Sequence, residues 1–387
     1  MEFNYYIPTR ILFGRGALGS LHEQTLPGRK ALIVTSAGTS VKKYGFLAKL
    51  QEQLEKANVN YELFDKIQPN PLKEHVMEGA ERARLACCDF VIGLGGGSSI
   101  DSSKSIAVMA TNDGDYWDYI SGGSGKGMPV KNNPLPVVAI TTTAGTGTEA
   151  DPWTVITNGN EKIGFGYEKT FPVLSVVDPE LMATVPPALT AYQGFDALFH
   201  SAEGYLNINA NVMSDMYALK SIELIGKSLA AAVKNGADIA AREDIALANT
   251  LGGMVESTSS CTSEHSIAHS LSALRPKLEH GAALIMISKE YYSFFAASGS
   301  CDQRMVDMAK ALGAEDAKEA GDFVAALVRL QRDCGVDALK MSDYGISFEE
   351  LGEFVRNARE TMGGLFEGDP AKLTDEDVAG ILGRSYR

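Results

Sequence analysis

Five side chains that can bind a metal ion lie in two segments of the second half of the chain. Asp196 and His200 are four residues apart, as are His265 and His269, and His280 follows eleven residues later. Residues four apart lie on the same face of a helix. Two such pairs and His280 could enclose one cation, and imidazole and carboxylate suit Fe²⁺, Zn²⁺, Mn²⁺ or Ni²⁺. The alternative interpretation is a helical bundle whose polar face happens to carry histidines.

Two segments rich in glycine and hydroxyl groups, in the first half of the chain, suit phosphate binding. Residues 95–99 (GGGSS) follow an apolar run and open a helical pattern. Glycines allow close backbone approach, and the first N–H groups of a helix attract a pyrophosphate. By itself this segment favours a plain strand-to-helix turn. Residues 141–148 (TTTAGTGT) follow a second apolar run, and two such loops at the ends of adjacent parallel strands predict a nucleotide crevice.

The elements that must position these groups change in type along the chain. The strand-like runs lie at 31–35, 61–64, 89–94 and 136–141. They alternate with apolar residues at helical spacing, which predicts a parallel sheet with helices on both faces. Asn70-Pro71 has the residue types of a helix N-cap and first turn. After about residue 187 only helical spacing remains, which predicts an all-helical second half.

The length of the chain predicts two domains. Its 387 residues exceed the usual size of a single core. The helix breakers Asp178-Pro179 and Pro186-Pro187 mark the change of pattern. We therefore predict a dinucleotide-binding α/β domain over 1–182 and an all-helical metal-binding and substrate domain over 183–387.

Charge and cysteine content limit the class of partner and the compartment. The net charge of −14 argues against nucleic acid or an anionic membrane as a partner. The N-terminal residues lack the pattern of a signal peptide, and no apolar run has the length of a membrane span. The five cysteines are odd in number and scattered, which disfavours a disulfide framework. A reducing cytoplasm is the expected location.

Several longer motifs extend over most of the chain. They are PTRILFG at 8–14, QPNP at 68–71, GGGSSIDSSK at 95–104, TTAGTGTEAD at 142–151, VVDPEL at 176–181 and PPALTAYQGFDALFHSAEGY at 186–205. With these motifs and its histidine segment, the chain resembles the iron-containing (group III) alcohol dehydrogenases. The segment from Asp178 to Glu203 is the most specific, because a family signature runs through its Pro, Asp and His positions.

The resemblance implies a fold and a set of roles. The fold is a Rossmann-like α/β domain with a parallel sheet, followed by an all-helical domain. Asp196, His200, His265 and His280 would ligate one divalent metal, with Fe²⁺ first and Zn²⁺ or Ni²⁺ as alternatives. His269 would be catalytic, near the nicotinamide of NAD or NADP. The positions that match cofactor contacts are Asn70, Gly96, Gly97, Ser98, Asp101, Thr142, Thr143, Thr146 and Lys162.

Some positions depart from the family pattern. Ser36 stands where members often carry Asp at the adenosine ribose, so the 2′-phosphate of NADP would meet no negative charge. Asp151 replaces a usual Thr in the second loop.

The expected reaction is hydride transfer between a small primary alcohol or diol and nicotinamide, in a homo-oligomeric enzyme. Alternatives within the oxidoreductases are a polyol dehydrogenase or a maleylacetate reductase. A lyase of the dehydroquinate synthase type would need a cluster of Lys and Arg near the ligands, where only Arg275 and Lys277 occur. A non-catalytic helical scaffold would need no set of metal-ligating side chains.

Overall fold

The structure, a computed structural model, describes residues 2–387 and divides into two compact units. One unit is Ile7–Thr184, and the other is Val185–Arg387 together with the described residues before Ile7. The boundary predicted from the sequence lies between residues 182 and 183. The functions assigned to the two parts stay predictions.

The first unit alternates strands and helices, as the apolar pattern predicts. Its strands are β1 (Arg10–Phe13), β2 (Lys30–Ser36), β3 (Asn60–Ile67), β4 (Phe90–Gly95), β5 (Val137–Thr141), β6 (Thr154–Asn158), β7 (Glu161–Phe165) and β8 (Leu174–Val177). Its α-helices are α1 (Ser40–Lys43), α2 (Phe46–Lys56), α3 (Lys73–Leu85) and α4 (Gly97–Thr111). The sequence analysis predicted β2 to β5 but not β1, β6, β7 or β8; β6 and β7 pair as an antiparallel hairpin.

Within residues 2–387, the main sheet has six strands in the order β1-β8-β5-β4-β2-β3. All its neighbouring pairs are parallel. Alternate side chains of β2 point to opposite faces, as strand geometry requires. Leu32 and Val34 pack with side chains of α3 and α4, whereas Ala31 and Ile33 pack with side chains of α2. The predicted parallel sheet with helices on both faces is therefore confirmed.

The predicted helix start at Asn70-Pro71 is wrong by two residues. Helix α3 begins at Lys73, with Leu72 at its N-cap. The cause is tertiary, since Thr157 of β6 donates its backbone N–H to the Pro71 carbonyl at 2.8 Å and forms a bridge with Leu72. This pairing holds the segment extended, and Asn70 takes a left-handed conformation with φ of 52°.

In its described part, the second unit contains helices and no strand. Its α-helices are α5 (Pro187–Leu206), α6 (Val212–Lys234), α7 (Ile239–Ser259), α8 (Ser263–Leu274), α9 (His280–Ser298), α10 (Asp302–Ala311), α11 (Gly321–Asp333), α12 (Leu351–Met362) and α13 (Asp375–Ser385). Helix α5 packs against α6, α7 and α9, and α8 packs against α9 and α12. This packing brings α5, α8 and α9, which carry the predicted metal ligands, to one place.

Aromatic side chains fill the core beside α5 and α9. Phe199 stacks on Tyr292 with ring centroids 6.0 Å apart, and Tyr292 meets Phe323 of α11 edge-on. None of the helices in residues 2–387 combines the length and apolar character needed to cross a bilayer.

Candidate nucleotide and metal sites

The two predicted phosphate loops lie side by side. Strands β4 and β5 are parallel neighbours, so their following loops emerge at the same edge of the sheet. The backbone N–H of Thr142 donates to the Gly95 carbonyl at 2.9 Å, which joins the loops where the strands end. Gly96 is the N-cap of α4, and Gly97 and Ser98 form its first turn. The first N–H groups of this helix have no partner within the helix and are suited to phosphate.

Two glycines are required by the closeness of the second loop. A Cβ on Gly96 would lie 2.9 Å from Cγ2 of Thr143, and one on Gly97 would lie 2.6 Å from Cγ2 of Thr146. Side-chain carbons do not approach this closely. The threonine hydroxyls are thus held next to the start of α4.

Asp101, a predicted cofactor contact, is buried and engaged with the protein. Its Oδ1 accepts from the Thr148 hydroxyl at 2.7 Å, and its Oδ2 accepts from the Val155 N–H at 2.9 Å. Burial raises the pKa of Asp101 to about 6, although the charge of nearby Lys104 opposes the shift. These bonds tie α4 to the second loop and to β6.

Lys104, one turn further along α4, carries a fully buried ammonium group. Its Nζ donates to the Thr148 hydroxyl at 2.7 Å, to Oδ1 and the carbonyl of Asp151 at 3.0 and 2.9 Å, and to the Trp153 carbonyl at 2.8 Å. The Asp151 carboxylate, the departure from the family pattern, is therefore the counter-ion of this lysine. Sequence reasoning missed Lys104, whose signal is its position three residues after Asp101 on the phosphate helix.

Three predicted cofactor residues, Ser36, Asn70 and Lys162, lie outside the two loops. Ser36 ends β2, the strand beside β4, at the same edge of the sheet. Lys162 of β7 donates to Oδ1 of Asn70 at 3.0 Å. Lys42 lies in α1, six residues after the end of β2, and forms an ion pair with Asp65 at 2.5 Å.

The predicted metal-binding residues converge within the helical unit. Asp196 and His200 lie one turn apart on α5, and His265 and His269 lie one turn apart on α8. His280 is the first residue of α9. Helix α9 packs against both α5 and α8, and four of the five side chains are buried.

Asp196 lies at the centre of this cluster. Its Oδ1 is 3.6 Å from Nε2 of His265, 3.7 Å from Nε2 of His280 and 3.9 Å from Nδ1 of His200. These separations are too long for hydrogen bonds. Two ligand atoms held tetrahedrally about 2.1 Å from one ion are ~3.4 Å apart, close to the observed spacing.

The donor atoms fit a divalent cation. Among residues 2–387, neither Oδ1 of Asp196 nor Nε2 of His265 has a hydrogen-bond partner, although both atoms are buried. Buried polar atoms are normally satisfied, and an ion is one of the accepted explanations for an exception. One carboxylate and several imidazoles are also the ligand types that Fe²⁺, Zn²⁺ and Ni²⁺ accept.

Glu203, which sequence reasoning missed, fixes the orientation of His265. Its Oε1 is hydrogen-bonded to Nδ1 of His265, and its Oε2 accepts from the N–H and hydroxyl of Thr262 at 2.8 and 2.9 Å. With Nδ1 engaged, Nε2 is the nitrogen that faces Asp196. The signal was present in the sequence, since Asp196, His200 and Glu203 are spaced i, i+4, i+7 on one helix face.

One more carboxylate and a thiol lie beside the cluster. Oε2 of Glu256, on α7, is 3.7 Å from Nε2 of His200. Cys261, in the turn between α7 and α8, is buried, and burial raises the pKa of its thiol so that it is protonated in the absence of an ion. The spacing of α-helical pairs gave no indication of either residue.

His269 is placed beside the cluster. Its ring centroid is 4.6 Å from that of His280 and 6.3 Å from that of His265. Among the described residues, two groups of three side chains have ligand atoms that all lie within 4.8 Å of one another, and neither group includes His269. They are Asp196, His265 and His280, and His200, Cys261 and His265.

Comparison with known proteins identifies the family. The family model for iron-containing alcohol dehydrogenase matches residues 8–179, and the model for the C-terminal region of the Fe-containing alcohol dehydrogenase family matches residues 190–386. The chain belongs to the iron-containing alcohol dehydrogenases. It is therefore an oxidoreductase, and the lyase and scaffold alternatives are not supported.

Two relatives and one solved structure match this chain over nearly its whole length. The chain is 32% identical to the 1,3-propanediol dehydrogenase of Klebsiella pneumoniae, over 99% of both chains. It is also 32% identical to the NAD-dependent methanol dehydrogenase of Bacillus methanolicus, over 98% of both chains. A crystal structure of an archaeal halo-thermophilic alcohol dehydrogenase from a Red Sea brine pool is similar with a TM-score of 0.94, at 36% identity over 100% of this chain and 99% of the other.

Proposed function

We propose that this enzyme interconverts small primary alcohols or diols and their aldehydes, with one divalent metal ion and NAD or NADP. Asp196, His200, His265 and His280 would hold the ion, with Fe²⁺ as the first candidate and Zn²⁺ or Ni²⁺ as the others. The observation that carries the proposal is the position of Asp196 Oδ1, which is buried, lacks a hydrogen-bond partner among the described residues and lies 3.6–3.9 Å from three imidazole nitrogens.

The residues of the helical unit would bind and orient the metal ion that acts on the oxygen of the substrate. A bound divalent ion would act as a Lewis acid that polarises the oxygen of the alcohol or aldehyde. Glu203 holds the His265 ring with Nε2 toward Asp196. Outer carboxylates of this kind orient ligating histidines and increase their basicity. His269, next to His280, would relay the alcohol proton through its imidazole ring.

The residues of the α/β unit would bind the dinucleotide. The N–H groups at Gly97 and Ser98, at the start of α4, suit the pyrophosphate. The hydroxyls of Thr142, Thr143 and Thr146 follow β5 at the neighbouring strand end. The nicotinamide, when bound, would accept the hydride from the alcohol carbon. Asp101 and Lys104 support the loop that carries the threonines, and Ser36, Asn70 and Lys162 remain proposed contacts.

A metal analysis combined with a substrate panel tests this function. The purified chain should contain one divalent ion, and chelation should abolish turnover that Fe²⁺, Zn²⁺ or Ni²⁺ restores. The panel should contain short primary alcohols, 1,3-diols and their aldehydes, with NAD(H) and NADP(H) in separate arms. Glycerol and maleylacetate are included because a polyol dehydrogenase or a maleylacetate reductase would prefer them. Full turnover after complete metal removal contradicts the proposal. A cytoplasmic location and a homo-oligomeric state remain predictions.

A further inference from the structure

A cysteine thiol lies against two of the proposed metal ligands. One ring nitrogen each of His200 and His265 and the Sγ of Cys261 all lie within 4.8 Å of one another. The three side chains are 4–6% exposed. Two imidazoles and a thiol are a ligand set for zinc-like ions. None of the family motifs in the sequence includes Cys261.

The protein backbone holds this thiol in a fixed place. Helix α7 ends at Ser259, and Ser260 turns the chain with a left-handed φ of 70°. The Cys261 carbonyl then accepts from Nδ2 of Asn207 at 3.0 Å, and Thr262 is bound through its N–H and its hydroxyl by Glu203. The carbonyl of Cys261 and the residue after it are therefore tied to α5 and to the loop that follows α5, which fixes the position of Sγ.

The two ligand sets that include His265 exclude each other. Nδ1 of His265 is hydrogen-bonded to Glu203, so only Nε2 is available to an ion. One set joins this histidine to Asp196 and His280, and the other joins it to His200 and Cys261. One nitrogen binds one ion, so the pocket holds a single ion in either set.

We propose that Cys261, His200 and His265 form a second, overlapping site that takes soft divalent ions such as Cd²⁺. Thiolate is a soft ligand and selects such ions, whereas the carboxylate of Asp196 suits harder ones such as Fe²⁺ and Mn²⁺. When the sulfur–metal bond forms, the S–H bond breaks and its proton leaves to solvent, with no change of oxidation state. Soft ions therefore compete with Fe²⁺ for the pocket. The inference rests on the proposed metal pocket, but it has its own test.

Cobalt provides that test, because a thiolate bound to Co²⁺ gives a charge-transfer band in the near ultraviolet. The full chain is stripped with a chelator and titrated with Co²⁺. Wild type should show the band, Cys261→Ser should lose it, and Cys301→Ser, which changes another buried cysteine of the same unit, should keep it. Co²⁺ bound without the band in wild type overturns this inference alone. No uptake of Co²⁺ at all overturns the inference and the proposed function together.

A comparison of ion affinities tests the claim of selectivity. The dissociation constants of Cd²⁺ and Mn²⁺ are measured for wild type, Cys261→Ser and Cys301→Ser by competition with a chromophoric chelator. Loss of an outer ligand partner weakens binding about 10–100-fold, so loss of a direct ligand should weaken Cd²⁺ binding by at least ~10-fold. Mn²⁺ binding should change less, so the Cd²⁺/Mn²⁺ preference falls. Equal weakening of both ions, or of neither, overturns the proposal.

Discussion

The two candidate binding regions use different parts of the polypeptide. In the α/β unit, the groups that would bind phosphate are backbone N–H groups and hydroxyls within a few residues of two strand ends. The buried ammonium of Lys104, on the same helix, donates four hydrogen bonds. In the helical unit, side chains from α5, α8 and α9 meet, and Asp196 keeps a buried oxygen without a hydrogen bond among the described residues.

This difference indicates how each region should respond to mutation. A side chain of the metal cluster is itself a proposed ligand, and no neighbouring backbone group replaces it. A side chain near the phosphate loops mainly sets the shape or the charge around backbone donors that remain in place. We therefore expect larger losses of activity from the first region, and effects on stability or cofactor choice from the second.

The largest effect should follow the loss of a proposed ligand. His280→Ala should bind far less metal and lose activity by at least ~10³-fold, because Lewis-acid stabilisation supplies several kcal/mol. Metal content is measured by mass spectrometry beside kcat/KM. The matched control is His22→Ala, which removes a histidine bonded to Gln53 in the other unit and should keep both properties. Full metal occupancy in His280→Ala would show that the ligand set is wrong.

The neighbouring histidine should separate metal binding from turnover. His269→Ala should retain its ion while kcat falls roughly 10²–10⁴-fold, the usual range for acid–base groups. The measurements are metal content and kcat at several pH values. If the ion is lost together with activity, His269 is a ligand, and the division of the histidines between the two roles has to be revised.

In the α/β unit, Lys104→Met should act on stability. Removing this ammonium leaves Asp151 buried without its counter-ion, which costs about 3–5 kcal/mol. Urea unfolding followed by tryptophan fluorescence reports this unit, since both tryptophans, Trp117 and Trp153, lie in it.

Two comparison variants sharpen this result. Lys104→Met/Asp151→Asn should recover part of the lost free energy of unfolding, because it leaves no unpaired charge at position 151. Lys169→Met, in an exposed position, should stay within about 0.5 kcal/mol of wild type. If Lys104→Met unfolds at the same urea concentration as wild type, the buried network does not support the loop.

The smallest expected effect concerns the choice of cofactor. We expect NADP(H) to be used at least comparably to NAD(H), because Ser36 brings no negative charge to the end of β2. Ser36→Asp should shift the preference toward NAD by about 1–3 kcal/mol through repulsion of the 2′-phosphate. The control is Ser36→Asn, because the side chain of Asn is close to that of Asp in size but is neutral. The measurement is kcat/KM with both cofactors. A wild type that strongly prefers NAD and is unaffected by Ser36→Asp would place Ser36 away from the ribose.

The sequence predicted local features better than contacts between distant segments. The glycine turn at 95–99 follows its strand and opens α4 as predicted, because a strand, a turn and a helix start are adjacent in the chain. The start of α3 was misplaced, since pairing of Pro71 and Leu72 with β6 overrode the capping preference of Asn70. The hairpin of β6 and β7 was missed although its signal is local, since the β-branched run at 154–157 is followed by Asn158-Gly159, a pair typical of hairpin turns.

By itself, the sequence determined the parallel α/β unit, the helical unit and the same-face pairs of ligating side chains, since each depends on periodicity along one segment. Only the tertiary structure decided which of these side chains meet. Glu203 and His265 are 62 residues apart in the chain, yet their hydrogen bond decides which ring nitrogen faces Asp196. The place of Cys261 beside His200 and His265 also depends on contacts between distant segments, since α5 packs against α7 and Glu203 of α5 binds Thr262. The physical reason is that a hydrogen-bond partner or a shared ion is chosen by distance in space, which helix periodicity does not specify.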